Sequence, residues 1–66
     1  MWVVVYVAPS RRVANYLKDM LEIEGILVKL KETGVSEQDA RNVELMVSEC
    51  EIEDANEIIA NALQQS

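Results

Sequence analysis

The chain has 66 residues, half of them apolar and 27% charged, with no histidine and one cysteine, Cys50. A single thiol cannot form a disulfide within the chain or supply the roughly four Cys/His ligands of a structural zinc site, and without histidine the chain cannot build Ser–His–Asp or Cys–His catalysis from its own residues. Twelve acidic against six basic residues give a net charge of −6, which disfavours nucleic-acid backbones and anionic membrane surfaces as partners.

Residues 2–8, WVVVYVA, are dense in β-branched and aromatic side chains and predict a strand with two apolar faces. Pro9 ends it, because proline cannot donate to a ladder. Ser10 is a good N-cap for a helix over 11–24, whose apolar positions Val13, Ala14, Leu17, Met20 and Leu21 follow helical spacing. Gly25 follows as the residue able to turn left-handed at the C-terminus. Residues 26–31 alternate, with Ile26, Val28 and Leu30 on one face and Leu27, Lys29 and Lys31 on the other, the pattern of a half-buried strand. Residues 32–42 are mostly polar and read as a long loop, mobile or functional. Residues 43–47 alternate again, and Ser48 with Glu51 three places on matches a capping box before a helix over 49–64. Its acids Glu49, Glu51, Glu53 and Asp54 suit the positive end of the helix dipole, and Ile52, Ala55, Ile58, Ile59, Ala62 and Leu63 form its apolar stripe.

The order β-α-β-β-α predicts one α+β domain over 1–66, a truncated ferredoxin-like fold. Two helices lie on one face of a three-stranded antiparallel sheet, with the third strand in the middle. The expected helix-facing layer is Val3, Val5, Val7, Ile26, Val28, Leu30, Val43, Leu45 and Val47. The opposite face then carries Trp2, Val4, Tyr6, Leu27 and Met46 as an apolar interaction face, with the first strand's edge free. The phase of the first strand is the open point, since a slip of one residue exchanges its two faces. A chain this short buries a small core, so a homodimer that covers the outer face or the free edge is expected.

Few residues suggest chemistry. Ser10, Arg11 and Arg12 at a helix start could form an anion site for phosphate or carboxylate, although no glycine-rich loop accompanies them. Arginine there opposes the helix dipole, which implies a compensating group. Asn15, Tyr16 and Asp19 share one side of the same helix and read as inert surface. The acids of the last helix lack an EF-hand-type loop, so no metal site is expected, and Cys50 reads as an ordinary thiol. Trp2 and Tyr6 with Lys29 and Lys31 have the make-up of a single-stranded RNA platform, against which the net charge argues.

The charge is unevenly spread. Residues 1–33 hold five basic and four acidic side chains, a balance of +1, and residues 34–66 hold Arg41 against eight acids, a balance of −7. The acidic half reads as a solvated helix face, with docking of a basic partner as the alternative. No stretch reaches the ~18 apolar residues of a membrane span. One unpaired cysteine fits a reducing interior, so a cytoplasmic location is expected, and the acidic charge makes a membrane partner unexpected.

Tyr6-Val7-Ala8-Pro9-Ser10, then Leu21-Glu22-Ile23-Glu24-Gly25-Ile26, then Val47 followed by Glu51-Ile52-Glu53-Asp54-Ala55-Asn56-Glu57-Ile58-Ile59 resemble a family of small bacterial signal-transducing proteins of unknown function. The resemblance covers nearly the whole chain except residues 32–42, and its motifs are structural. It implies kinship with PII-like and ACT-like ferredoxin folds, and with them a small-ligand site between subunits, for which no residue here matches a motif one for one. Some similar chains carry a glutamate decarboxylase label. That chemistry needs a lysine-bound pyridoxal phosphate in a large pocket, and no cofactor is expected here. The sequence therefore points to a non-enzymatic regulatory or adaptor module that binds a protein partner or a small anionic ligand. An enzyme accessory or anion-binding protein using Ser10–Arg12 is the alternative.

Overall fold

A computed structural model of the chain describes residues 1–33 and 42–64; the loop expected over 32–42 falls largely outside them. The apolar run Trp2–Ala8 forms strand β1. Helix α1 spans Arg11–Ile23 and starts where expected: Val13 N–H donates to Ser10 Oγ at 3.3 Å, and Ala14 N–H donates to Ser10 C=O at 3.1 Å. It ends in a Schellman motif. Gly25 N–H donates to Glu22 C=O at 2.9 Å and Ile26 N–H to Leu21 C=O at 3.0 Å, while Gly25 takes φ +88°. Ile26 is buried just after this turn, as is Leu21 within the helix, which gives the motif its usual apolar contact.

Strand β2 is Lys29–Thr33 and β3 is Asn42–Ser48. The second strand therefore begins three residues later than the expected 26–31 and takes up Glu32 and Thr33. The Schellman turn holds Ile26, so the chain needs Leu27 and Val28 to reach the sheet. The inward–outward alternation across these residues stands: Ile26 is buried, Val28 and Leu30 are half-buried, and Leu27, Lys29 and Lys31 are exposed. After β3, a single 3-10 turn over Glu49–Glu51 precedes helix α2, Ile52–Gln64. Ser48 Oγ caps this turn by accepting from Cys50 N–H at 3.3 Å. The α-helix thus starts later than the expected residue 49.

The sheet order is β1-β3-β2, with β3 antiparallel to both neighbours. Among the described residues this is the β-α-β-β-α arrangement, a ferredoxin-like order without its fourth strand. Helices α1 and α2 contact each other, and both contact β1 and β3. The Cα envelope is 15 Å deep along its shortest axis, room for one helix layer over one sheet. The enclosed core joins Ala8, Val43, Leu45 and Val47 of the sheet to Ala14, Leu17 and Leu21 of α1 and Ala55, Ile59 and Ala62 of α2, with Ile26 between α1 and β2. Leu63, grouped by spacing with the α2 stripe, is instead exposed.

The phase of β1 departs from expectation. Trp2, Val3 and Val4 pair with Ser48, Val47 and Met46, but Tyr6 then pairs with Leu45, so Val5 is an extra residue. Such a β-bulge sets two residues of one strand against one of the other. Its consequence is a change of face. Val5 and Tyr6 both pack against the core, and Ala8 is fully buried, while Val7 is 47% exposed. Tyr6 thus belongs to the helix-facing layer and Val7 to the outer face, the reverse of the sequence reading. The cause is steric and local: Ala8 is small enough to lie under the start of α1, and the bulge brings it inward opposite Val43.

Gly25→Ala tests the turn. A Cβ there meets nothing within 4 Å, so the expected loss of about 1 kcal/mol comes from backbone conformation alone. Urea denaturation measures it; an unchanged midpoint would contradict the left-handed cap.

Candidate functional site

The ladder fixes what lies on the open side of the sheet. Three rows of neighbours cross it: Lys31–Glu44–Val7, Lys29–Met46–Val4, and Ser48 beside Trp2. Leu27, outward and 71% exposed, precedes β2 on the same face. Trp2 and Val4 are 36% and 40% exposed and Met46 is half-buried. Of the five residues expected to form the interaction face, the structure places Trp2, Val4, Leu27 and Met46 there and turns Tyr6 beneath the helices. Val7 takes its place, a position that the uniformly apolar strand gave no means of choosing.

The exposed apolar side chains are not spread evenly. Trp2, Val4 and Val7 line β1, while β2 and β3 contribute Lys29, Lys31 and Glu44 beside Met46. Lys29 reaches across β3, and its Nζ lies 4.5 Å from the centroid of the Trp2 ring. A cation over the indole face is attracted by the ring's quadrupole, and the lysine stem covers apolar surface on its way. This contact explains why Trp2 is the least exposed of the three. It also occupies one face of the indole, and with Tyr6 turned inward the two-aromatic stacking surface suggested by the sequence does not form.

The second candidate is the start of α1. Ser10 Oγ accepts from Val13 N–H, and the Arg11 guanidinium is held by Glu32, with Nε donating to Oε2 at 2.9 Å and Nη2 to the same oxygen. The geometry follows from the ladder. Ala8, Val43 and Glu32 lie in one inward row, so the end of β2 sits beside the start of the helix that follows β1. Glu32 is the compensating group that an arginine at a helix N-terminus calls for. Ser10 and Arg11 therefore have partners within the protein. Arg12 is exposed and makes no ion pair among the described residues.

Two shallow depressions flank α2. One, of about 460 Å³, is lined by Glu49, Cys50, Ile52, Glu53 and Asp54; the other, of about 240 Å³, by Glu24, Ile26, Glu51, Asp54, Glu57 and Ile58. Both gather carboxylates, yet among the described residues no group of three or more acids or thiols is arranged to hold a metal ion. Cys50 is exposed and free. Asn15, Tyr16 and Asp19 are exposed on α1. No described helix is long and apolar enough to cross a membrane. Comparisons with family models, with curated proteins and with solved structures find no match to this chain.

Lys29→Ala tests the Trp2 contact. Trp2 is the chain's one tryptophan, so its fluorescence reports the site directly. Loss of the ammonium and its stem is expected to raise acrylamide quenching and to lower stability by about 0.5–1 kcal/mol. Unchanged quenching would mean that the lysine does not cover the ring.

Proposed function

We propose that this chain is a non-enzymatic binding module of the regulatory or adaptor kind, working through the outer face of its sheet in a cytoplasmic setting. The observation that supports the reading is the one-sidedness of the fold. Both helices pack on one side, and the other side presents Trp2, Val4, Val7 and Leu27 to solvent. Aromatic and aliphatic side chains on one open face of a small domain are the usual make-up of an interaction surface. The resemblance of the chain's three sequence segments to small bacterial signal-transducing proteins agrees with a regulatory role.

The anion-site reading is weaker. It requires Ser10 and Arg11 to give up partners they already have, and of these three residues it leaves only Arg12 without a partner among the described residues.

Photo-crosslinking in the native cell tests the reading. A benzophenone side chain at position 27 is expected to give a discrete protein adduct, and one at position 57, on the acidic helix, is expected to give none. No adduct from position 27, or equal yields from both positions, would count against the outer face as the working surface.

A further inference from the structure

We propose that the open edge of β1 pairs antiparallel with β1 of a second copy of this chain, joining two three-stranded sheets into one across a two-fold axis. This rests on the reading of the sheet as the binding element and names its partner.

The sheet has two edges, β1 and β2, because β3 lies between them. They differ in chemistry. β2 places Lys29 and Lys31 side by side on the outer face, with Glu32 after them; lysine on a short edge strand is a common guard against strand addition. β1 carries no charged residue from Trp2 to Ala8. Its exposed side chains Trp2, Val4 and Val7 are apolar, so its open backbone and the exposed apolar row of the face coincide on one strand.

The backbone phase can be read from the ladder. Opposite pairs in an antiparallel ladder alternate between those that exchange two hydrogen bonds and those that exchange none. Glu49 N–H donates to Met1 C=O at 3.0 Å, so the next pair, Trp2 with Ser48, is of the non-bonded kind. Val3 with Val47 is bonded, and Val4 with Met46 is again not. The N–H and C=O groups of Trp2 and Val4 therefore point away from β3 into the open edge. Groups of that kind are best satisfied by another strand.

Charge selects which strand. Each chain carries −6, with the acidic excess in residues 34–66, so contacts between the acidic segments of two copies are repelled. The uncharged β1 edge adds nothing to that repulsion, whereas two β2 edges would set lysines against lysines. A two-fold pairing also makes the strand its own complement. The register that satisfies the outward groups of Trp2 and Val4 sets Trp2 opposite Val4 of the second copy, and Val4 opposite Trp2. It places an aromatic beside a β-branched side chain on the outer face, a favourable cross-strand pair. The bulge at Val5 bends the strand beyond Val4, which limits the seam to its first residues and makes the dimer exchange with monomer.

Sedimentation equilibrium across a wide concentration range, paired with amide hydrogen exchange, tests this. The wild type is expected to shift from monomer to dimer, with exchange at Trp2 and Val4 slowing as dimer forms. Val4→Pro removes one outward N–H without touching the β3 ladder, and Val4→Lys places a like charge on each side of the seam. Either is expected to weaken association about tenfold or more, with the circular dichroism spectrum retained. Leu27→Ser, on the same face but away from β1, is expected to leave association unchanged. A wild type that stays monomeric at millimolar concentration overturns the proposal, as does a dimer without concentration-dependent protection at Trp2 and Val4, or one lost in Leu27→Ser but kept in both Val4 variants. A monomeric wild type that still crosslinks another protein from position 27 refutes the paired edge alone and leaves the binding-module reading standing.

Discussion

β1 lies antiparallel against β3, and the extra residue at Val5 decides which side chains that ladder buries. β3 has a fixed phase because Val43, Leu45 and Val47 alternate with more polar neighbours, and its inward side chains are fully enclosed. β1 has no such contrast. The bulge lets its first half face Trp2 and Val4 outward and its second half send Tyr6 and Ala8 inward. Without the extra residue, Ala8 and Val7 would exchange places, and a valine would have to fit under the start of α1 where a methyl group now lies. Bulges increase local twist and concentrate at sheet edges, and β1 is an edge.

From that ladder the remaining features follow in turn. Bringing Ala8 beneath α1 places the helix start over the row that ends in Glu32, and so pairs Arg11 with it. An exposed ion pair of this type adds at most about 1 kcal/mol, so it orients the helix more than it stabilises the fold. Stability comes from the enclosed Leu17, Leu21 and Leu45. Each would cost about 2–5 kcal/mol as alanine, against a total of about 6 kcal/mol for a domain of this size. The caps at Ser10 and Gly25 set where α1 begins and ends, and the Schellman turn delays β2 until Lys29, which puts that lysine opposite Met46 and within reach of Trp2.

What the sequence revealed depended on contrast between neighbouring side chains. The element order, the caps at Ser10 and Gly25, the central place of the third strand and the inward faces of α1 and β3 could be read because polar and apolar residues alternate with a clear period there. The phase of β1 could not, since Val3, Val4, Val5, Tyr6 and Val7 are equally content on either face. The sequence places Tyr6 outward because its hydroxyl seeks water or a partner, whereas in the structure Tyr6 is half-buried against the core. The Lys29–Trp2 contact spans a whole strand and required the sheet order and twist to be known. The Arg11–Glu32 pair left one trace in the sequence, an arginine where the helix dipole disfavours it, but the residue that answers it lies 21 positions away.

The change of face within β1 is the claim most exposed to direct measurement. Nuclear Overhauser contacts of the Tyr6 ring in isotope-labelled protein would decide it. Contacts are expected from Tyr6 to Leu45 and Leu30, its neighbours in the inner row, and none from the Val7 methyls to either helix. Contacts from Tyr6 to Met46 or Lys29, together with Val7 methyls against α1, would show an unbulged strand and contradict it.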